Sequence, residues 1–168
     1  SIAVGAAKGG ETIFIKNGEY ESSQITLTKN LKFVGESREG VLITAVSGNN
    51  KGIFYTPLSN AVVCSCSFEN LTFHDVVYTS NSYAVISMGR ITSAEIKDCT
   101  FINCKGPAGT IQLQTSTTGV IDNCIIKNFI GTSSVSGGIN LGTSPGGYGY
   151  YYVRNTIIDN TTYAGSAT

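Results

Sequence analysis

The nonapeptide IKDCTFINC at residues 96–104 is followed by a second version of itself, IDNCIIKNF at residues 121–129. Two looser copies flank this pair: FENLTFHDV at residues 68–76 and VRNTIIDNT at residues 153–161. All four have apolar residues at the first and sixth positions and Asn or Asp at the third. The third position falls at 70, 98, 123 and 155, so the steps are 28, 25 and 32 residues. A short motif at this period predicts stacked coils rather than a closed globule.

Between the motif copies lie connections rich in Gly, Ser, Thr and Asn, and then second short strands, predicted at residues 84–88, 109–113 and 138–141. Helical spacing is absent, and period-two alternation marks strands with one buried face. We therefore predict an all-β chain, a right-handed parallel β-helix (solenoid) with about three short strands per coil.

The chain is predicted to be one β-helix domain over residues 1–168. Residues 1–11 are interpreted as an N-terminal cap or frayed start, residues 12–60 as irregular first coils and residues 61–168 as regular coils. The step from Asn30 to Asn70 is too long for one coil, so we place an insertion or irregular turn within residues 35–60. We expect the chain to be a fragment of a longer one, because it opens on Ser1 and ends without a cap after the fourth motif copy.

The motif predicts which side chains point inward and which form the turns. Asn suits a tight turn because it tolerates left-handed backbone angles and hydrogen-bonds the neighbouring backbone. The predicted side-chain ladder consists of Asn70, Asp98, Asn123 and Asn155. The predicted buried columns are Phe68, Ile96, Ile121 and Val153, and Phe73, Phe101, Ile126 and Ile158.

Composition excludes several classes of function. Charged residues make up 13% of the chain and the formal net charge is zero, so we expect no nucleic-acid partner bound through phosphate contacts. No apolar run approaches the roughly 20 residues of a membrane span, so we predict none. The single histidine and the five cysteines form no metal-ligand pattern; we predict no metal and no cofactor. Cys99 and Cys124 share one motif slot and are predicted to be buried, unlinked neighbours.

The whole chain resembles the pectate-lyase-like superfamily of right-handed β-helices. The phrases NCIIKN at residues 123–128 and GGI at residues 137–139 resemble repeats of adhesin-like surface proteins, including those of methanogenic archaea. The opening GETIFIKNGEY at residues 10–20, with KNLKFVG at residues 29–35, resembles the first coil of such proteins. The superfamily contains lyases, hydrolases, esterases, tailspikes and passive surface stalks, so the resemblance implies a fold and leaves the activity open.

In that superfamily the strand after the Gly-rich connection forms the working sheet. The resemblance makes Ser87, Gln112 and Asn140 the outward residues of that sheet here. None of them is a general acid or base, and none supplies the anionic charge that Ca²⁺ requires. We therefore predict that the chain is not an enzyme, and we keep these three residues as candidate binding residues.

Two other groups of residues are candidates for a surface role. The column Glu69, Lys97, Asp122 and Arg154 alternates in sign, which favours a structural ion-pair ladder over a catalytic group. Three tyrosines, Tyr148, Tyr150 and Tyr152, are predicted to face outward beside glycines. Such tyrosines form rigid contact surfaces for sugars or proteins, although covering a loop or packing on a neighbouring coil remains an alternative.

These observations favour an extracellular or cell-surface, adhesin-like β-helix that acts as a scaffold for adhesion or for binding a glycan or protein, without catalysis. A polysaccharide lyase or glycoside hydrolase of the same superfamily is one alternative, and a viral or phage fibre module is another. We also expect further coils or another chain to cover the C-terminal end.

Overall fold

The computed structural model describes residues 2–57, 64–89, 91–114, 118–133, 137–142 and 149–164. One short helix, α1 (Ile2–Ala6), precedes a series of short strands. Those of the first half are β1 (Thr12–Ile15), β2 (Gly18–Ser22), β3 (Ile25–Thr26), β4 (Leu31–Gly35), β5 (Val41–Ala45), β6 (Phe54–Thr56), β7 (Cys64–Glu69), β8 (Thr72–His74) and β9 (Ile86–Met88). Those of the second half are β10 (Ile91–Lys97), β11 (Thr100–Ile102), β12 (Lys105–Gly106), β13 (Ile111–Gln114), β14 (Thr118–Asp122), β15 (Ile125–Lys127), β16 (Ile130–Gly131), β17 (Ile139–Gly142), β18 (Tyr150–Arg154), β19 (Ile157–Asp159) and β20 (Thr162–Tyr163).

The strands form four sheets, and each successive coil adds strands to the same sheets. Sheet 1 has the order β1-β4-β7-β10-β14-β18, and sheet 2 has the order β19-β15-β11-β8-β5-β2. Sheet 3 is the short β12-β16-β20, and sheet 4 is β17-β13-β9-β6-β3. The neighbouring strands within these sheets pair in parallel. The predicted parallel β-helix is confirmed, with sheet 3 as a short addition to the three strands expected in each coil.

The predicted inner columns follow the pairing register. Ile96 is paired with Phe68 on one side and Ile121 on the other, and Ile121 is paired with Val153. The members in β7, β10 and β14 are buried, whereas Val153 is 44% exposed. The second column behaves in the same way, because Ile158 is 46% exposed on the last coil. The prediction of fully buried columns is therefore wrong for that coil, where no further described coil covers the side chains. Coverage of this end by further coils or another chain stays a prediction.

Residues 12–57 are more regular than the predicted irregular first coils. They make two coils, in which β5 pairs with β8 and β6 pairs with β9. The apolar side chains of Val41, Ile43 and Phe54 are buried in the same core as those of the later coils. The insertion predicted within residues 35–60 is therefore absent from residues 35–57, because this stretch contributes strands to sheets 2 and 4.

All five cysteines are free and buried. Burial raises the pKa of the Cys104 thiol to about 12 and that of Cys124 to about 11. A thiol with so high a pKa stays protonated and unreactive at neutral pH. Cys99 and Cys124 occupy equivalent slots in adjacent coils, with the Ile125 backbone N–H donating to the Cys99 carbonyl at 2.9 Å. The prediction of buried, unlinked thiols at these two positions agrees with this arrangement.

The N-terminal residues form a helix against the first coil. Val4 of α1 and the following Ala7 pack against the core, while Ile2 is exposed. The Lys29 ammonium ties this segment down by donating to the carbonyl of Ala7 at 2.5 Å. In the described residues no helix is long and apolar enough to cross a membrane.

Candidate binding face

Two stacks of left-handed turns fix how the sheets meet. The first stack lies between sheets 1 and 2 and contains Asn70, Asp98, Asn123 and Asn155, with φ between 49° and 57°. The second lies between sheets 2 and 3 and contains Asp75, Asn103, Asn128 and Asn160, with φ between 50° and 56°. Left-handed angles cost most residues about 1–2 kcal/mol, and Asn and Asp adopt them more readily because their side chains bond locally. Only the first stack was predicted from the sequence, although Asn or Asp at the eighth motif position marks the second.

The side-chain bonds of the two stacks differ. In the second stack Asn160 Nδ2 donates to Asn128 Oδ1 at 2.8 Å, and Asn128 Nδ2 donates to Asn103 Oδ1 at 2.9 Å. In the first stack Asn123 Nδ2 donates to Asp98 Oδ1 at 2.5 Å. Asn155, however, donates to Asp122 Oδ1 at 2.9 Å rather than to Asn123. Among the described residues, the predicted ladder therefore has a side-chain hydrogen bond only between Asn123 and Asp98, and its last rung is diverted onto a carboxylate of sheet 1.

The outer face of sheet 4 contains Ser87, Gln112 and Asn140, the residues that the superfamily resemblance implied as its working surface. Ser87 is in register with Gln112, and Gln112 with Asn140. Ser87 and Gln112 are only 3% and 4% exposed, and the Ser87 hydroxyl donates to Gln112 Oε1 at 2.6 Å. Their polar groups are buried and bonded to each other, so this geometry gives no support to the prediction that these two residues bind a ligand. Asn140 is half-buried.

An aromatic cluster lies at the N-terminal part of the same face. Tyr55 precedes Ser87 in the column. The ring of Tyr83 packs edge-on against that of Tyr55 at an interplanar angle of 69°, with centroids 4.9 Å apart, and the Lys51 ammonium lies 5.7 Å from the Tyr83 centroid. Aromatic and cation contacts of this kind add a modest stabilisation each. This part of sheet 4 is thus packed against side chains from its own loops.

The outer face of sheet 1 is open in comparison. Its outward residues alternate with Cys64, Cys66 and Phe68, which point into the core and are buried. A polar trough of about 260 Å³ crosses β4, β7 and β10 on this face. The residues that contribute polar groups to it are Asn30, Lys32, Ser65, Ser67, Ser93 and Glu95.

Three serines of the trough present hydroxyl groups to solvent. Ser65 and Ser93 are register partners, and Ser67 is the partner of Glu95. All three are half-buried, and no hydroxyl among them has a hydrogen bond to another described residue. Hydroxyl groups both donate and accept, so such a row can bind a ligand rich in hydroxyl groups. The sequence signal was the alternation CSCSFE at residues 64–69, which the sequence analysis did not use.

The trough continues in register to two exposed tyrosines on β18. Glu95 is followed along its column by Val120 and Tyr152, and Ser93 by Thr118 and Tyr150. Tyr150 is 69% exposed and Tyr152 is 56% exposed, while the Tyr151 side chain between them packs against the core. Neighbouring strands lie about 4.8 Å apart, so the column from Lys32 to Tyr152 spans about 19 Å. The predicted outward orientation of Tyr150 and Tyr152 is found in the structure, and Tyr148 lies outside the described residues.

The charged column predicted on this face forms one ion pair within itself and two with charged residues outside the column. Arg154 Nη2 lies 3.0 Å from Asp122 Oδ2, as the alternation in sign suggested. Glu69 pairs with Lys32 at 3.0 Å, and Lys97 pairs with Glu95 at 3.2 Å, so neither pairs within the predicted column. The hydrogen bond from Asn155, followed by those from Arg154, holds the pKa of Asp122 below its usual value. Within the described residues no group of three or more His, Cys, Asp or Glu side chains is arranged to hold a metal ion.

Comparison with known proteins gave one solved structure and no sequence relative. No family model matches the chain, and no curated protein matches it. The solved structure is a pectin methylesterase variant in complex with a hexasaccharide, which is 16% identical with a TM-score of 0.41. The match covers 94% of this chain and 60% of the enzyme chain.

This comparison bears on the prediction about catalysis. The prediction that the chain is not an enzyme is withdrawn, because the structural neighbour is an enzyme. The fold is shared with non-enzymes, so the likeness assigns no activity to this chain. The fold rests on the chain's own stacked parallel sheets, which make it a parallel β-helix, a β-solenoid.

Proposed function

We propose that this chain is an adhesin-like β-helix of the cell surface that binds a glycan along the outer face of sheet 1. One observation carries the proposal: an open trough of serine hydroxyls, none bonded to another described residue, leads in register to the exposed rings of Tyr150 and Tyr152. Hydroxyls exchange hydrogen bonds with sugar hydroxyls, and aromatic rings cover the apolar faces of sugar rings. The length of this face, about 19 Å by strand spacing, suits an extended oligosaccharide.

A protein partner is the less suitable ligand for this face. The centre of a stable protein–protein interface is depleted in charged residues and packed as densely as a protein interior. This face has the charged residues Glu95, Lys97 and Asp122 close to its middle. A chain of hydrated sugars tolerates such groups, because its own hydroxyls replace the water that they lose.

The rest of the molecule suits a surface scaffold. A solenoid in which each coil contacts its neighbours gives a long rigid rod with a repeated outer face. Charged residues are 13% of the chain, so most of its polar surface is Ser, Thr, Asn and Gln. We propose an extracellular or cell-surface location on this ground. Labelling of intact source cells with an antibody against the folded chain tests it, and signal only after lysis would contradict it.

The binding proposal is tested with a glycan array followed by calorimetric titration of each positive glycan. We expect Tyr150→Ala and Tyr152→Ala each to raise the Kd about tenfold, which corresponds to a loss of about 1.4 kcal/mol of binding free energy. The matched control is Tyr163→Ala, an exposed tyrosine of the same last coil that lies on sheet 3. Mass measurement of the recovered glycan separates binding alone from binding followed by cleavage. Failure of every glycan on a broad array to bind would contradict the proposal, as would equal losses in all three variants.

A further inference from the structure

The charged groups on the outer face of sheet 1 neutralise one another. The described part of this face has three cations and three carboxylates: Lys32, Lys97, Arg154, Glu69, Glu95 and Asp122. Each cation has a carboxylate of the same face within 3.0–3.2 Å. No cation on the described part of this face is left without a carboxylate partner, and the sum of the six charges is zero.

We infer that the glycan bound along sheet 1 is neutral, built of hexose-type sugars without carboxylate or sulfate groups; this inference rests on the proposed function. An acidic sugar needs a cation for its own charge, and every cation on the described part of this face already has a carboxylate partner. Binding such a sugar would separate an existing ion pair and place two like charges side by side, which is unfavourable. A neutral sugar leaves the pairs in place and exchanges hydrogen bonds with Ser65, Ser67 and Ser93.

The three ion pairs lie across the whole path of the ligand, so the charge balance is local as well as total. Lys32 and Glu69 lie by the trough, Glu95 and Lys97 lie on β10, and Asp122 and Arg154 join β14 to β18 beside the tyrosines. An acidic polymer with one charge per sugar would meet one of these pairs at nearly every position. Exclusion of acidic glycans is therefore a property of the whole face rather than of one subsite.

The test compares neutral hexaoses of glucose, mannose and galactose units with the same hexaoses after oxidation of C6 to a carboxylate. We expect at least one neutral hexaose to bind, and its oxidised form to bind about tenfold more weakly or less at low salt, where charge effects are strongest. Equal or tighter binding of the oxidised form, still sensitive to Tyr152→Ala, would overturn the inference and leave the proposed function standing. Absence of binding by either form, with no hit on the array, would instead contradict the proposed function.

A charge-matched pair of variants sharpens the test. Glu69→Gln releases Lys32 with little change in shape, and we expect it to tighten binding of the oxidised hexaose several-fold. That gain should disappear at high salt, because the new attraction lies at the surface. The control is Glu39→Gln. It also removes one negative charge, but from an exposed carboxylate that pairs with Arg38 away from this face. The same gain in both variants, or no gain in Glu69→Gln, would contradict the role of the ion pair.

Discussion

The outer faces of sheets 1 and 4 have similar polar residues but differ in how far those residues are exposed to solvent. Both present register-aligned polar residues, with serines on β7 in sheet 1 and on β9 in sheet 4. In sheet 4 the Ser87 hydroxyl is buried and donates to Gln112. In sheet 1 the Ser67 hydroxyl lines an open trough and has no bond to another described residue. The same residue type thus contributes to stability on one face and is available to a ligand on the other.

The largest expected effect separates these two serines directly. Ser87→Ala leaves the buried Gln112 oxygen without its donor, which should lower the free energy of unfolding by about 1–3 kcal/mol. Ser67→Ala makes the identical chemical change two strands earlier in the chain. Its free energy of unfolding should stay within about 0.5 kcal/mol of that of the parent. Urea unfolding of both variants measures the difference. Equal losses would show that the two faces do not differ in the way described.

The second effect concerns the aromatic cluster that lies over sheet 4. Tyr83→Ala removes the ring contact with Tyr55 and should lower the free energy of unfolding by about 0.5–1.5 kcal/mol. Tyr150→Ala removes an exposed ring from sheet 1 and should change it by less than about 0.5 kcal/mol. Hydrogen exchange should also become faster in β6 for Tyr83→Ala only. A larger loss in Tyr150→Ala would mean that the sheet 1 tyrosine is structural.

The periodic pattern predicts whether a side chain points into the core or outward. It does not predict whether an outward side chain is exposed to solvent. The alternation around Ile96 and Ile121 predicted the inner columns, and the position of Val153 predicted that Tyr150 and Tyr152 face outward. Nothing local to Ser87 or Gln112 indicated burial, because what covers a sheet face comes from chain segments distant in sequence. Burial of an outward residue is therefore a tertiary property that a periodic pattern does not contain.

The early coils and the second turn stack show a different limit. The motif is too degraded before residue 61 to mark a coil, so the sequence analysis placed an insertion where β5 and β6 lie. The alternation of Val41 and Ile43 indicates a strand with one buried face. It does not match the nine-residue motif, so it did not mark a coil. The Asn at the eighth motif position, as in Asn128, was visible in every later copy but was not given its role as a turn.

The third and smallest effect is on the pH dependence of stability. The folded-state pKa of Asp122 is lowered, first by the bond from Asn155 and then by Arg154. A carboxyl with a lowered folded-state pKa stabilises the fold above its unfolded value near 3.9 and loses this contribution as pH falls through the folded value. The difference in melting temperature between the parent and Asp122→Asn should therefore be constant from pH 7 to about 5 and shrink below about 4.

Sheet 4 supplies the control for that pH dependence. Ser87 and Gln112 do not titrate, so the loss caused by Ser87→Ala should stay the same over this range of pH. A difference for Asp122→Asn that stayed constant down to pH 2 would contradict the assigned role of the carboxylate on sheet 1.

The central claim, that the glycan lies on sheet 1, is tested most directly by amide chemical-shift mapping of the isotopically labelled chain. Titration with a neutral hexaose that binds on the array should move the amide signals of Ser65, Ser67, Ser93 and Tyr152. Those of Ser87 and Gln112 should stay in place, because their face is closed. Shifts confined to Ser87, Gln112 and Asn140, with β7, β10 and β18 unchanged, would contradict the account and return the site to sheet 4.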